Sequence, residues 1–156
     1  MGSNPTVPNQ RKELNQMRGE KIRTYSELIR LETFSERFEY LKLSDTKIGE
    51  QTFGLDRYLN QEFYRSQEWS RIRDYVILRD NGCDLACWDR QLNASIIVHH
   101  MNPILQSDIL EHSEFLVNPE YLICTSHLTH EAIHYSDENL LPYTWTPRSE
   151  GDTKLW

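Results

Sequence analysis

Cysteine is scarce in this sequence, and what there is does not pair. Cys83, Cys87 and Cys124 make an odd count with one close pair, so a disulfide framework is not expected and a reducing cytoplasm is the expected setting. The Cys83–Cys87 spacing is one residue wider than the usual zinc knuckle, and no second pair completes it. Cys83 and Cys124 therefore read as small core residues. No apolar run approaches the about 20 residues of a membrane span, and no basic-then-apolar start reads as a secretion signal. Internal repeats and low-complexity tracts are absent as well. Single-domain size, 26% charged and 38% hydrophobic residues describe a polar soluble protein.

Two further shortages are local. Residues 81–156 hold only 3 Lys+Arg against 11 Asp+Glu, a net of −8, while residues 1–80 hold 14 against 13, a net of +1; together these give the −7 of the whole chain. Histidine is missing from the first 98 residues, and all six (His99, His100, His112, His127, His130, His134) fall between positions 99 and 134. Such clustering points to a local metal or catalytic site.

What is present divides the chain. A flexible or helical lead over residues 1–23, disordered to about Asn9 with its Pro5 and Pro8, is expected to precede a helical part over residues 24–82. Thr24-Tyr25-Ser26-Glu27 and Thr33-Phe34-Ser35-Glu36 carry the capping-box pattern. Leu28, Ile29 and Leu31 follow the first at helical spacing, and Phe34, Phe38 and Leu41 follow the second. A turn-rich stretch from Asp45 to Gly54 leads to a third helix from Ser66 to Asn81-Gly82, with Trp69, Ile72 and Val76 buried. Over residues 83–140 the pattern turns to strands: Ser95-Ile96-Ile97-Val98 ends in His99-His100, and Tyr121-Leu122-Ile123-Cys124 follows a long loop. A helix then runs from a Thr129 cap to about Tyr135. The tail, residues 141–156, reads as an extended arm whose Trp145 and Trp156 pack back on the body. The predicted class is α+β.

His130-Glu131-Ala132-Ile133-His134 is a literal H-E-x-x-H, the motif of a zinc metalloprotease. Its i, i+4 histidines share one helix face and suit any metal site. A protease also needs a long helix, for which Pro142 leaves little room, and a downstream ligand, for which the acidic candidates after Glu138 are Glu150 and Asp152 in a tail with no helical signal. It leaves His99-His100 unexplained. A strand presents successive side chains on opposite faces, so one of that pair can join the helix histidines on a metal while its neighbour meets water or substrate. An imidazole with a pKa near 6.5 suits a general base, and a divalent ion beside it suits phosphodiester hydrolysis. Imidazoles favour zinc, nickel or similar ions over magnesium, and one divalent ion per site (Zn, Ni, Mn or Mg) is expected.

V-H-H-M-N-P-I followed by N-P-E-Y-L-I-C-T-S-H-L-T-H-E-A-I-H resembles the HNH endonucleases, whose fold is a ββα-metal module. The nearest likeness is to small bacteriophage HNH proteins, in which stretches similar to F-G-L-D-R-Y-L-N-Q-E-F-Y-R-S-Q-E-W and R-D-N-G-C-D-L-A also occur. The resemblance covers the chain from about Thr24 to the tail. It implies a DNA-cleaving hydrolase of the host cytoplasm, acting as a monomer that nicks or a homodimer that cuts both strands. It further implies His99, His130 and His134 as metal ligands, His100 as the base and Asn118 as the residue that orients it. Many members read N-L-I-x-L-C-x-x-C-H-x-x-I-H; laid over this chain without gaps, their asparagine falls on Tyr121 and their cysteines on Ser126 and Thr129. The structural zinc of those relatives is thus not expected, and Glu131 becomes an exposed helix residue. His112 and His127 read as surface residues, with His127 keeping a claim as a ligand nine residues after Asn118.

For DNA, Arg65, Arg71, Arg73 and Arg79 on or beside the third helix are the expected phosphate contacts, with Arg11, Lys12, Arg18, Lys21 and Arg23 leading the first. Glu68, Asp74 and Asp80 among them leave a salt-bridged solvated face as the alternative. The acidic second half motivates a different class of function, an HNH scaffold that binds a phage or host protein.

Overall fold

The computed structural model describes residues 21–43, 55–87, 90–92 and 95–141. The expected lead up to residue 20, the turn-rich stretch 45–54, the tail from Pro142 and the basic residues Arg11, Lys12 and Arg18 lie outside these. The class is mixed, with helices surrounding two small antiparallel sheets, as an α+β chain requires. Among the described residues no helix is long and apolar enough to cross a membrane.

Both capping-box sequences start helices, although only the second forms the full reciprocal box. The Thr24 side chain accepts from the Glu27 N–H and opens α1, Tyr25–Leu28. Thr33 and Glu36 cap each other reciprocally at the start of α2, Phe34–Leu41. Leu28, Phe38 and Leu41 are buried, whereas Ile29 is exposed, because four residues of α1 leave it on the outer face. A helix the sequence reading did not place, α3 over Leu55–Tyr64, precedes α4 over Gln67–Arg79. The spacing of Leu55, Tyr58, Leu59 and Phe63 (i, i+3, i+4, i+8) was the available signal. Ser66 caps α4 by accepting from the Trp69 N–H at 3.1 Å. Asn81 and Gly82, both at positive φ (58° and 63°), end it where expected.

Two ribbons follow. β1, Cys83–Asp84, pairs antiparallel with β2, Arg90–Gln91. β3, Ile97–His100, pairs antiparallel with β4, Leu122–Thr125, in the register Val98↔Cys124, His99↔Ile123, His100↔Leu122. Between them the expected loop holds two short helices, α5 over Gln106–Leu110 and α6 over Glu114–Val117, and a 3-10 turn at Pro119–Tyr121. Helix α7, His127–Tyr135, starts three residues earlier than read: Ser126 is its cap, and Thr129 is buried inside it. The Thr129 hydroxyl donates to the buried Asp84 carboxylate at 2.6 Å, which also accepts from the Ser126 N–H. A β-hairpin carboxylate therefore fixes the start of α7, at the end of a helix where negative charge is favourable. Left-handed Ser136 (φ 52°) ends the helix.

The core lies on both faces of the β3–β4 ribbon, because neighbouring strand residues point oppositely. On one face Ile123 packs with Leu28, Leu41, Met101 and Ile133 of α7. On the other, Val98, Leu122 and Cys124 pack with Phe63, Trp69 and Val76.

Candidate metal centre and base

The ribbon's two faces separate the adjacent histidines. His99 lies opposite Ile123 on the α7 side, and His100 lies opposite Leu122 on the α4 side. A one-residue step along a strand thus sends two imidazoles into two environments.

On the α7 side His99, His130 and His134 converge. One ring nitrogen of each lies within 4.8 Å of the others, and the Nε2 atoms of His130 and His134 stand 2.9 Å apart. The His99 ring meets the His130 and His134 rings edge-on at centroid distances of 5.0 and 5.3 Å. His99 is buried and its Nε2 has no hydrogen-bond partner among the described residues. A buried polar atom without a partner is costly and calls for an explanation. Tetrahedral zinc with Zn–N bonds of about 2.0–2.1 Å would separate its nitrogens by about 3.4 Å, which falls within the 4.8 Å span of the three donors. These residues fit a divalent ion, and three imidazoles leave coordination positions open.

Electrostatics within the cluster keep the lone pairs available. Burial first, then the neighbouring histidines, hold His99 well below the ordinary imidazole value. Burial, then His134 and His127, lowers His130 to about 4, and burial lowers His134. Neutral imidazole is the form that binds a metal.

On the α4 side His100 is held differently. Its Nε2 lies 3.0 Å from the Leu116 carbonyl. A carbonyl only accepts, so Nε2 carries the proton and Nδ1 keeps the lone pair. The ring stacks on Trp69 (centroids 5.4 Å, planes within 16°) and meets Tyr64 edge-on at 6.1 Å. Burial pushes its pKa down to about 4, against the opposing effects of the Leu116 hydrogen bond and Asp108.

The remaining expected residues divide. Among the described residues Asn118 makes no hydrogen bond to His100: its side-chain oxygen accepts from the Glu120 N–H at 2.9 Å and caps the 3-10 turn. Tyr121, at the gap-free asparagine position, stacks on Phe115 at 4.6 Å. His112 pairs with Glu68 and His127 with Glu131, each on the surface. Cys124 is buried, with its thiol pushed up to about 12 by burial, while Cys83 is only half-buried.

Of the four arginines, Arg65 and Arg71 are exposed and Arg73 is half-buried, donating to the Ile96 carbonyl at 3.2 Å. Arg79 is turned inward. It donates to Asp80, to the Pro119 carbonyl at 2.7 Å and to the Leu122 carbonyl at 2.6 Å, and lies 3.7 Å over the Tyr25 ring. A guanidinium so committed acts as a structural clamp between α4 and the β3–β4 connection. Asp80, the other half of that clamp, accepts from the Cys124 N–H at 2.8 Å. Sequence reasoning missed Leu116, because a backbone acceptor carries no residue signature. It read Trp69 as core and had no way to bring it to His100.

Compared with family models, curated proteins and solved structures, the chain has no match.

Proposed function

We propose that the protein is a metal-dependent endonuclease of the HNH type, hydrolysing DNA phosphodiester bonds with a ββα-metal module built from β3, β4 and α7. The observation that carries this reading is the division of labour at His99-His100. The first imidazole joins the two of α7, and the second, on the opposite ribbon face, is pinned by its Nε2 proton and offers Nδ1 as a base.

In this mechanism His100 Nδ1 removes a proton from water as it attacks phosphorus in line, and the Leu116 carbonyl holds the imidazolium that forms. His99, His130 and His134 would hold a divalent ion, whose positive charge would offset the negative charge that develops at the reacting phosphate. The phosphate product is left on the 5′ end. Arg65 and Arg71, exposed at either side of the first turn of α4, are the arginines available to backbone phosphates. A zincin-like protease is less well supported: the third histidine comes from the upstream strand, and Glu131 pairs with His127 at 3.2 Å.

A second reading, an HNH scaffold that binds a phage or host protein, draws on the acidic second half and on the commitment of the Asn118 side chain to a cap. Incubation of supercoiled plasmid with the protein and Mg, Mn, Ni or Zn separates the two. Nicked or linear DNA that disappears with His100→Ala supports the nuclease. Absence of cutting with every metal, by a protein that still binds one ion per chain, transfers the proposal to the binder.

A further inference from the structure

The helical N-terminal part does more than cover the ribbon, because one of its residues touches the proposed base. A single hydrogen bond from Nε2 to the Leu116 carbonyl fixes one point of the His100 ring. An imidazole held at one point can still pivot about that contact. Trp69 removes the freedom: its indole lies nearly parallel to the imidazole, with planes within 16° at 5.4 Å. This is the offset-stacked arrangement in which aromatic pairs attract.

Trp69 is itself braced. Its backbone N–H is donated to the Ser66 cap, fixing it in the first turn of α4. Phe63 at 5.5 Å and Tyr64 at 5.1 Å pack against the indole from the end of α3, and the side chain is only 7% exposed. Stacking covers the face of the imidazole, whereas proton transfer uses the edge. The contact can therefore orient the ring without blocking Nδ1. Among the described residues neither the Asn118 side chain nor the Tyr121 ring makes a hydrogen bond or ring stack with His100, Asn118 being a turn cap and Tyr121 being stacked on Phe115.

We propose that Trp69 is the positioning residue of His100, fixing the plane of the base by stacking while the Leu116 carbonyl fixes its edge. The proposal rests on the nuclease reading above. It makes the α3–α4 corner part of the reaction centre, and it places the orienting function on a residue some thirty positions before the histidines.

The test compares nicking of supercoiled plasmid, with Mn or Ni, by the full-length protein and its Trp69→Leu and Trp69→Phe variants. Trp69→Leu should lower kcat by about 10- to 100-fold, as expected of a misplaced catalytic group. KM and the binding of one ion per chain should be unchanged. Trp69→Phe, which keeps a ring to stack on, should restore most of the rate. Equal kcat for Leu and wild type, or Leu and Phe equally impaired, overturns the positioning role.

If Trp69→Leu does not fold, the wild-type protein still decides. Stacking displaces the His100 ring-proton resonances upfield and gives nuclear Overhauser contacts to the indole, whereas unshifted resonances without contacts overturn the proposal. A wild type that cuts no DNA with any metal removes the nuclease reading and this inference with it. A cutting wild type with an indifferent Leu variant removes the inference alone.

Discussion

The Nε2 atoms of His130 and His134 stand 2.9 Å apart, a separation that two lone pairs cannot share unless a proton or a cation lies between them. One turn of α7 sets the spacing, and His99 from β3 closes the third side. The arrangement makes separate demands on metal, on pH and on the arginines around it.

The metal demand is the most direct. The protein should bind one zinc or nickel ion per chain, magnesium far more weakly, as imidazole donors dictate. Metal at 100 times its Kd stabilises the fold by about 2.7 kcal/mol, visible as a rise in Tm that a chelator reverses. His99→Ala and His134→Ala should each abolish the rise in calorimetry. A rise that survives both substitutions would place the ion elsewhere.

The pH demand concerns the metal-free protein. His130 and His100 are lowered from 6.5 to about 4 by burial, and His99 and His134 move in the same direction. Above pH 6.5 these groups are neutral in both folded and unfolded chains and contribute no pH dependence. Below it the unfolded chain takes up protons that the folded chain refuses, so stability falls as pH drops from 6.5 toward 4. Thermal unfolding should show Tm lower by about 5 °C or more at pH 5 than at pH 7.5, with a shallower fall for His130→Gln. A flat profile would mean that the rings open to solvent before they titrate.

The arginines should divide by role. Arg79→Ala leaves the Asp80 carboxylate, whose side chain is 0% exposed, without its cation and with the Cys124 N–H as its remaining donor among the described residues, and removes the donor from two backbone carbonyls. Losing one partner of a buried pair costs about 3 kcal/mol, measurable by denaturant unfolding. Arg71→Ala should change stability by less than about 0.5 kcal/mol, yet weaken DNA binding and reduce its salt slope by about one. The reverse pattern, stability lost at Arg71 and DNA affinity lost at Arg79, would overturn both assignments.

Much of the local structure follows from sequence alone. Thr24 and Thr33 cap helices because each hydroxyl satisfies an orphan N–H within one turn, and at Thr33 the Glu36 carboxylate returns the bond; the Thr24 N–H instead goes to the Tyr40 hydroxyl. Ser66 and Asn81-Gly82 bound α4 for the same local reason. His130 and His134 share a helix face because the pitch of a helix puts them there, and His99 and His100 oppose each other because a strand alternates. The candidate metal ligands were legible to that extent.

What sequence spacing could not decide was which partners the long-range contacts supply. Only the antiparallel register of β3 on β4 turns His99 toward α7 and His100 toward α4. Only packing brings Trp69 onto His100 and the Leu116 carbonyl to its Nε2. Asp84, far from α7 in sequence, fixes the start of that helix and moves its cap from Thr129 to Ser126. Arg79 reads as one more basic residue on a helix until the fold presents it with Asp80, Pro119 and Leu122. Caps and periodicities act within a few residues and are written in the chain; the environment of a side chain is set by residues that meet it only when the chain has folded.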